Sequence, residues 1–206
     1  MFPFPFSFLS GAAPDVPVDR IANAEAMSFN GTDTYVAFPD ITLSGEFTLS
    51  FWMNPVNFNV VIIGDDISQD WLRINSSTVI DLDLADNKTT WTPGVTFTTG
   101  EWQHVVLRRD SSNVCTIFRN GVHYTNNSPT KSGNFGPLNK IGQKANVNYF
   151  NGKLDEVALF NTALPASKIQ EIYDATAVVD GVPQTANLFT GGLSSSLVYW
   201  NRMGDS

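Results

Sequence analysis

Across 206 residues the chain carries 12 Lys and Arg against 20 Asp and Glu, a formal net charge of −8, with no basic cluster. That balance argues against nucleic acid and anionic membranes, whose phosphates need cationic side chains to neutralise them; a cation or a neutral glycan is the easier partner. Hydrophobic residues at 42%, with 15 Phe and five Trp, suffice for one ring-filled domain core, and the single cysteine, Cys115, rules out an intrachain disulfide.

The chain opens on Met1-Phe2-Pro3-Phe4-Pro5-Phe6-Ser7-Phe8-Leu9. This run lacks a basic leader and its prolines break any helix, so it does not read as a signal peptide, and it is too short to span a membrane. In an extended chain, period two puts Phe2, Phe4, Phe6 and Phe8 on one face. Such a stripe is an aggregation hazard in water and is expected to dock, either on its own domain or on a neighbouring subunit. Residues 11–18, with Pro14 and Pro17, read as an extended linker.

From Glu25 the pattern is all-β. Strand-like runs are expected at 26–29, 35–38, 47–53, 60–63, 71–74, 79–84, 104–109, 114–119, 138–142 and 153–160, with turn residues between them. Asn120-Gly121 is the strongest hairpin signal, because both central positions of a type I′ turn need positive φ. Many short, evenly punctuated strands indicate a sandwich. Phe47, Leu49, Phe51 and Met53 alternate with Thr48, Ser50 and Trp52, which suits a strand with one core face.

Asp155 and Glu156 are unusual residues for the strand 153–160, so a bound cation or a backbone network must satisfy them. Being adjacent, they are expected on opposite faces of a regular strand. One helix is expected after Pro165, with Ile169, Ile172 and Tyr173 on its apolar face. After Ala175 the chain reads as loop, and Trp200 either clips the domain shut or joins an assembly contact. Cys115 reads as a small buried hydrophobe.

Four segments in order, residues 27–36, 47–55, 101–106 and 150–164, together with Thr116-Ile117-Phe118-Arg119-Asn120-Gly121, resemble laminin-G-like, concanavalin A-like jelly-roll domains. The resemblance covers roughly residues 25–175. It implies an antiparallel jelly-roll β-sandwich with one short helix, flanked by an extended aromatic arm and linker (1–24) and a C-terminal extension (176–206). It also implies a structural Ca²⁺ held by Asp155 with oxygens from Asn30 and Asp33. The chain departs from related sequences in having Asn30 and Thr34 where acids are common, and the other reading is Asp155 hydrogen-bonded to loop amides without an ion.

Trp71 and Trp91 lie close in sequence to Asp65, Asp66, Asp70, Asp81, Asp83 and Asp86, a composition that fits a glycan site: rings to stack on a sugar, carboxylates for its hydroxyls. The bland reading makes both rings core or interface residues and the acids a solvated rim. Related hydrolases carry a Glu-x-Asp-x-x-Glu strand that is missing here, and His104 and His123 form no triad or metal cluster, so no enzyme is expected. The leading expectation is a non-catalytic recognition or adhesion module. It would belong to a virion or other extracellular surface assembly and be anchored through Phe2, Phe4, Phe6 and Phe8 to like subunits or another protein. The alternatives are a free-standing lectin-type module for cell-surface glycans and, more distantly, a glycoside hydrolase relative.

Overall fold

A computed structural model of the chain describes residues 17–85 and 87–205. The arm residues Phe2, Phe4, Phe6 and Phe8 lie outside the described residues, as does Asp86. Elements run β1 (Arg20–Ala22), β2 (Met27–Asn30), β3 (Val36–Leu43), β4 (Phe47–Pro55), β5 (Val60–Gly64), β6 (Trp71–Ile74), β7 (Ile80–Leu84) and β8 (Asn87–Trp91). They continue with β9 (Gln103–Arg109), β10 (Cys115–Arg119), β11 (Val122–Tyr124), β12 (Phe135–Ile141), β13 (Asn151–Phe160) and α1 (Ala166–Asp174). The last three strands are β14 (Ala177–Val179), β15 (Val182–Ala186) and β16 (Leu197–Asn201).

Two large antiparallel sheets face each other. One orders β11-β10-β9-β4-β13-β16, with β2 also on β13; the other orders β3-β12-β5-β6-β7-β8. Their inner faces interdigitate through Phe47, Leu49, Phe51, Met53, Ile62, Leu72, Leu82, Leu107, Ile117, Phe135, Leu154 and Leu159. Alternation along each strand dictates that set, which is the packing expected of a sandwich. The two-residue loop Asn120-Gly121 joins β10 to β11 with φ of 50° and 78°, as its sequence predicts. Cys115 is buried among apolar neighbours, and burial pushes its thiol up to about 12.

Two expectations are corrected here. The strand Phe47–Met53 has not one buried face but two, since Thr48 and Ser50 are buried as well. A second core lies outside the seven-stranded sheet, where Val106, Phe118, Ala158 and Phe160 pack on Leu164, Ile169 and Ile172 of the helical segment and on Ala186, Leu188 and Leu193. The chain after Ala175 is therefore no loop. It forms the three-stranded sheet β1-β15-β14 and the edge strand β16, and residues 20–22 of the expected linker are its first strand.

β13 carries the joint between the two chain ends. Its edge away from β4 pairs with β2 over Asn151–Leu154 and with β16 over Val157–Phe160. Where one partner gives way to the other, the register against β4 slips between Asp155 and Ala158, and Glu156 adopts φ of 50°. This is a β-bulge, one extra residue on one strand. The ends are stitched together nearby: the Asp205 carboxylate accepts from the backbone N–H of Ala24 at 3.1 Å, and the Arg202 guanidinium donates to the Ala22 carbonyl.

Candidate functional site

The bulge changes the reading of the acidic pair. Leu154, Val157 and Leu159 point into the sandwich core, while Ala158 and Phe160 point into the outer one. Asp155 and Glu156 both reach partners outside the sandwich. Asp155 accepts from the Asn23 side chain at 3.0 Å and from the Glu156 backbone N–H at 2.8 Å. Glu156 accepts from Trp200 Nε1 and pairs with Arg202 at 3.3 Å. Adjacency on a regular strand puts neighbours on opposite faces; the extra residue at the bulge cancels that. Burial pushes the Asp155 carboxyl up to about 6, and burial together with the Asp155 charge pushes Glu156 up to about 7.

In front of Asp155 the outer face of the sheet opens. Across β13, β4 and β9 the register sets Asp155 opposite Trp52 and Trp52 opposite His104; Lys153 and Trp102 stand two residues back on the same face. Diagonal neighbours of this kind lie within reach when the side chains are aromatic. Trp52, Trp102, Lys153 and Asp155 floor a cleft of about 550 Å³, walled by Asn23–Ala26 on one side and, on the other, by Thr176 and by Ala177, Val178, Pro183 and Gln184 of the β14–β15 hairpin. A second depression of about 240 Å³ shares Trp52, Trp102 and Thr176 and adds Asn120, Tyr173 and Asp174. Trp102 is 40% exposed. Trp52 is held from behind, with its ring 5.9 Å from that of Tyr173 and 5.2 Å from that of His104. His104 is buried, bonds Ser50 Oγ at 2.8 Å, and is lowered to about 3 by burial, so it stays a neutral support for Trp52.

The rings expected to stack on a glycan lie elsewhere. Trp71 and Trp91 are 2% and 4% exposed. Trp91 belongs to the sandwich core. Trp71 sits on the outer face of the six-stranded sheet, but Lys144 Nζ lies 3.4 Å from its ring centre, with Arg73 and Lys88 beside it. A stacking platform needs a free ring face, so the expectation for these two residues is corrected. Their acidic neighbours are engaged too. Asp81 pairs with Arg73, and Asp65 accepts from the backbone N–H groups of Gln69 and Asp70. Burial works to raise Asp81, but hydrogen bonds from Thr90 and Arg73 outweigh it and hold the carboxyl below its usual range.

Nor do the residues proposed for calcium form one site. Asn30 Oδ1 accepts from the backbone N–H groups of Thr32, Asp33 and Thr34 at 2.9, 3.1 and 3.2 Å, and Asn30 Nδ2 donates to Asp33 at 2.7 Å. Asn30 pairs with Asn151, four residues along β13 from Asp155, roughly 13 Å at strand rise. Calcium needs six to eight oxygens converging at about 2.3–2.6 Å. Asn30, Asp33 and Asp155 do not converge, and no cluster of three or more acidic, His or Cys side chains suited to a metal occurs among the described residues.

Residues 30–170 match the family described as the concanavalin A-like lectin/glucanases superfamily. The chain belongs to that superfamily. No curated protein matches it in sequence. Among solved structures it is similar to the native heptameric SAP-like pentraxin from Limulus polyphemus, at 16% identity over 77% of this chain and 82% of that one, with a TM-score of 0.55. It is also similar to domain 4 of AbnA, a GH43 extracellular arabinanase from Geobacillus stearothermophilus in complex with arabinotriose, at 20% identity over 71% and 75%, with a TM-score of 0.57. A third is the botulinum neurotoxin serotype D ligand binding domain in complex with N-acetylneuraminic acid, at 13% identity and a TM-score of 0.52; it covers 81% of this chain, which spans about half of that one (49%). These likenesses establish the jelly-roll fold. Both cleft walls, Asn23–Ala26 and the β14–β15 hairpin, lie outside the matched residues.

Sequence reasoning missed Trp52 and Trp102. The outward position of Trp52 was legible from its strand, but its open setting depends on where a hairpin 125 residues later ends. That hairpin had a signal of its own: Asp180-Gly181 between valines, with φ of 51° and 80°.

Proposed function

We propose that the chain is a non-catalytic carbohydrate-recognition module whose ligand lies in the Trp52–Trp102 cleft. The observation that carries this reading is the floor of that cleft. Two tryptophans on one face of the sheet, one of them 40% exposed, are bordered by Asn23, Gln184, Lys153 and Asp155. Apolar rings that take a sugar face, with a few placed amides and carboxylates for its hydroxyls, are the composition such sites require. Superfamily membership and the arabinotriose-bound neighbour are in keeping with it.

Glycosidic cleavage needs two carboxyl groups set about 5–9.5 Å apart across the scissile bond. Glu156 is tied to Trp200 and Arg202 beneath β16 and does not line the cleft. Glu25 stands exposed on the segment joining β1 to β2, off the sheet that carries Asp155, so the two carboxyls do not belong to one rigid element. The test is a glycan array probed with the full chain and with Trp102→Ala. Binding weakened about tenfold or more in the variant, at a nearly unchanged melting temperature and without reducing-end release, supports the reading; binding indifferent to Trp102→Ala overturns it.

The role in a virion or other surface assembly stands on the arm alone. Light scattering of the chain with and without residues 1–16 tests its like-subunit form: an oligomer that becomes a folded monomer supports anchoring through Phe2, Phe4, Phe6 and Phe8, and identical masses oppose anchoring to like subunits and leave only a different protein as the anchor.

A further inference from the structure

We infer that the ligand is an extended neutral oligosaccharide, at least two rings long, that crosses the Trp52–Trp102 ridge from the larger depression into the smaller. The inference rests on the carbohydrate reading above and specifies its substrate class. Trp52, Trp102 and Thr176 line both depressions, so the two are halves of one path divided by an aromatic ridge. Tyr173 extends that ridge: its ring is inclined only 21° to Trp52, and it lines the smaller depression. A single sugar calls for one platform enclosed by polar groups. Here the polar groups are spread instead, with Asn23, Gln184 and Lys153 at one end and Asn120 and Asp174 at the other. Successive rings of a chain would meet successive aromatic faces, and each end would find its own hydrogen-bonding set.

The charge of the path selects against acidic sugars. Glu25, Asp155 and Asp174 line it against one cation, Lys153. An anionic sugar would bring its carboxylate among like charges, whereas neutral hydroxyls can donate to every one of these acids.

The experiment is calorimetry at pH 7.5 on the full chain with arabino-, xylo-, cello- and manno-oligosaccharides of one to three units, and with 3′-sialyllactose as the anionic probe. In at least one neutral series, affinity is expected to rise tenfold or more from one unit to three, with no detectable binding of sialyllactose. Asp174→Trp, which fills the exposed end of the smaller depression with a ring, should abolish the length dependence; a length dependence unchanged in this variant would count against the path. Equal affinity for one unit and three, lost in Trp102→Ala, would sink the extended path while the recognition cleft stands. Sialyllactose bound more tightly than every neutral series in a Trp102-dependent way would refute the neutral class alone. No Trp102-dependent binding across the whole panel would overturn this inference together with the site reading.

Discussion

Trp71 and Trp52 occupy equivalent situations, each on the outward face of a sandwich sheet, and end in opposite states. On the six-stranded sheet the long side chains of Arg73, Lys88 and Lys144 lean over Trp71 and close it. Basic side chains lay their stems along apolar surface and keep their heads polar, so such a ring needs no further cover. On the seven-stranded sheet the cover is built from other elements. The helix α1 and the chain from Ala186 to Leu193 seal one half of the face, and the β14–β15 hairpin stands beside the rest as a wall. A tryptophan's availability is thus decided by what distant segments do above it.

Three measurements test this contrast, and a fourth tests the acidic pair. Trp91→Ala should carry the largest effect, about 3–5 kcal/mol of unfolding free energy, because it empties a filled core site. Carbohydrate binding by the surviving folded protein should not change; urea titration read alongside the array checks both. Lys144→Met should cost about 1–2 kcal/mol by uncapping a desolvated ring, and a fall in Trp fluorescence polarity in place of any stability change would contradict the cap. Trp102→Ala should shift stability by less than about 1 kcal/mol, since its ring is part-exposed, yet weaken ligand binding about tenfold, equivalent to about 1.4 kcal/mol.

A fourth measurement concerns pH. Glu156 has a folded value raised to about 7 from 4.5, so the native state holds this proton more tightly than the unfolded chain. Its contribution to stability is full below about pH 4.5 and is lost as pH rises through about 7. Glu156→Gln removes that dependence. The melting temperature of the variant relative to the wild type should therefore climb steadily from pH 4.5 to 7.5; a flat difference would show that Arg202 keeps Glu156 ionised throughout.

Much of the frame is readable from local chemistry. The inward set of β4, the Asn120-Gly121 turn and the apolar stripe Ile169–Ile172 follow from period two, positive φ and period 3.6, each a property of a few neighbouring residues. The site is not readable in that way. Asp155 and Glu156 share a face only because β2 and β16 meet at their position, and no local pattern announces a bulge caused by two chain ends. Trp91 shows the same limit: its acid-rich surroundings suit a sugar site, and the sandwich core claims the ring.

The joint on β13 also governs when the site comes into being during synthesis. Once residue 160 has left the ribosome, every strand of the two large sheets except β16 is present, and the sandwich can begin to close. The cleft cannot, for one of its walls spans residues 176–184, and the stitch that fixes the other, from Asn23 to Ala26, involves Arg202 and Asp205. Contacts of such long sequence separation form late. Until then the nascent chain leaves Trp52 and the outer faces of β4 and β13 uncovered, apolar surface of the kind that exposes a folding intermediate to aggregation.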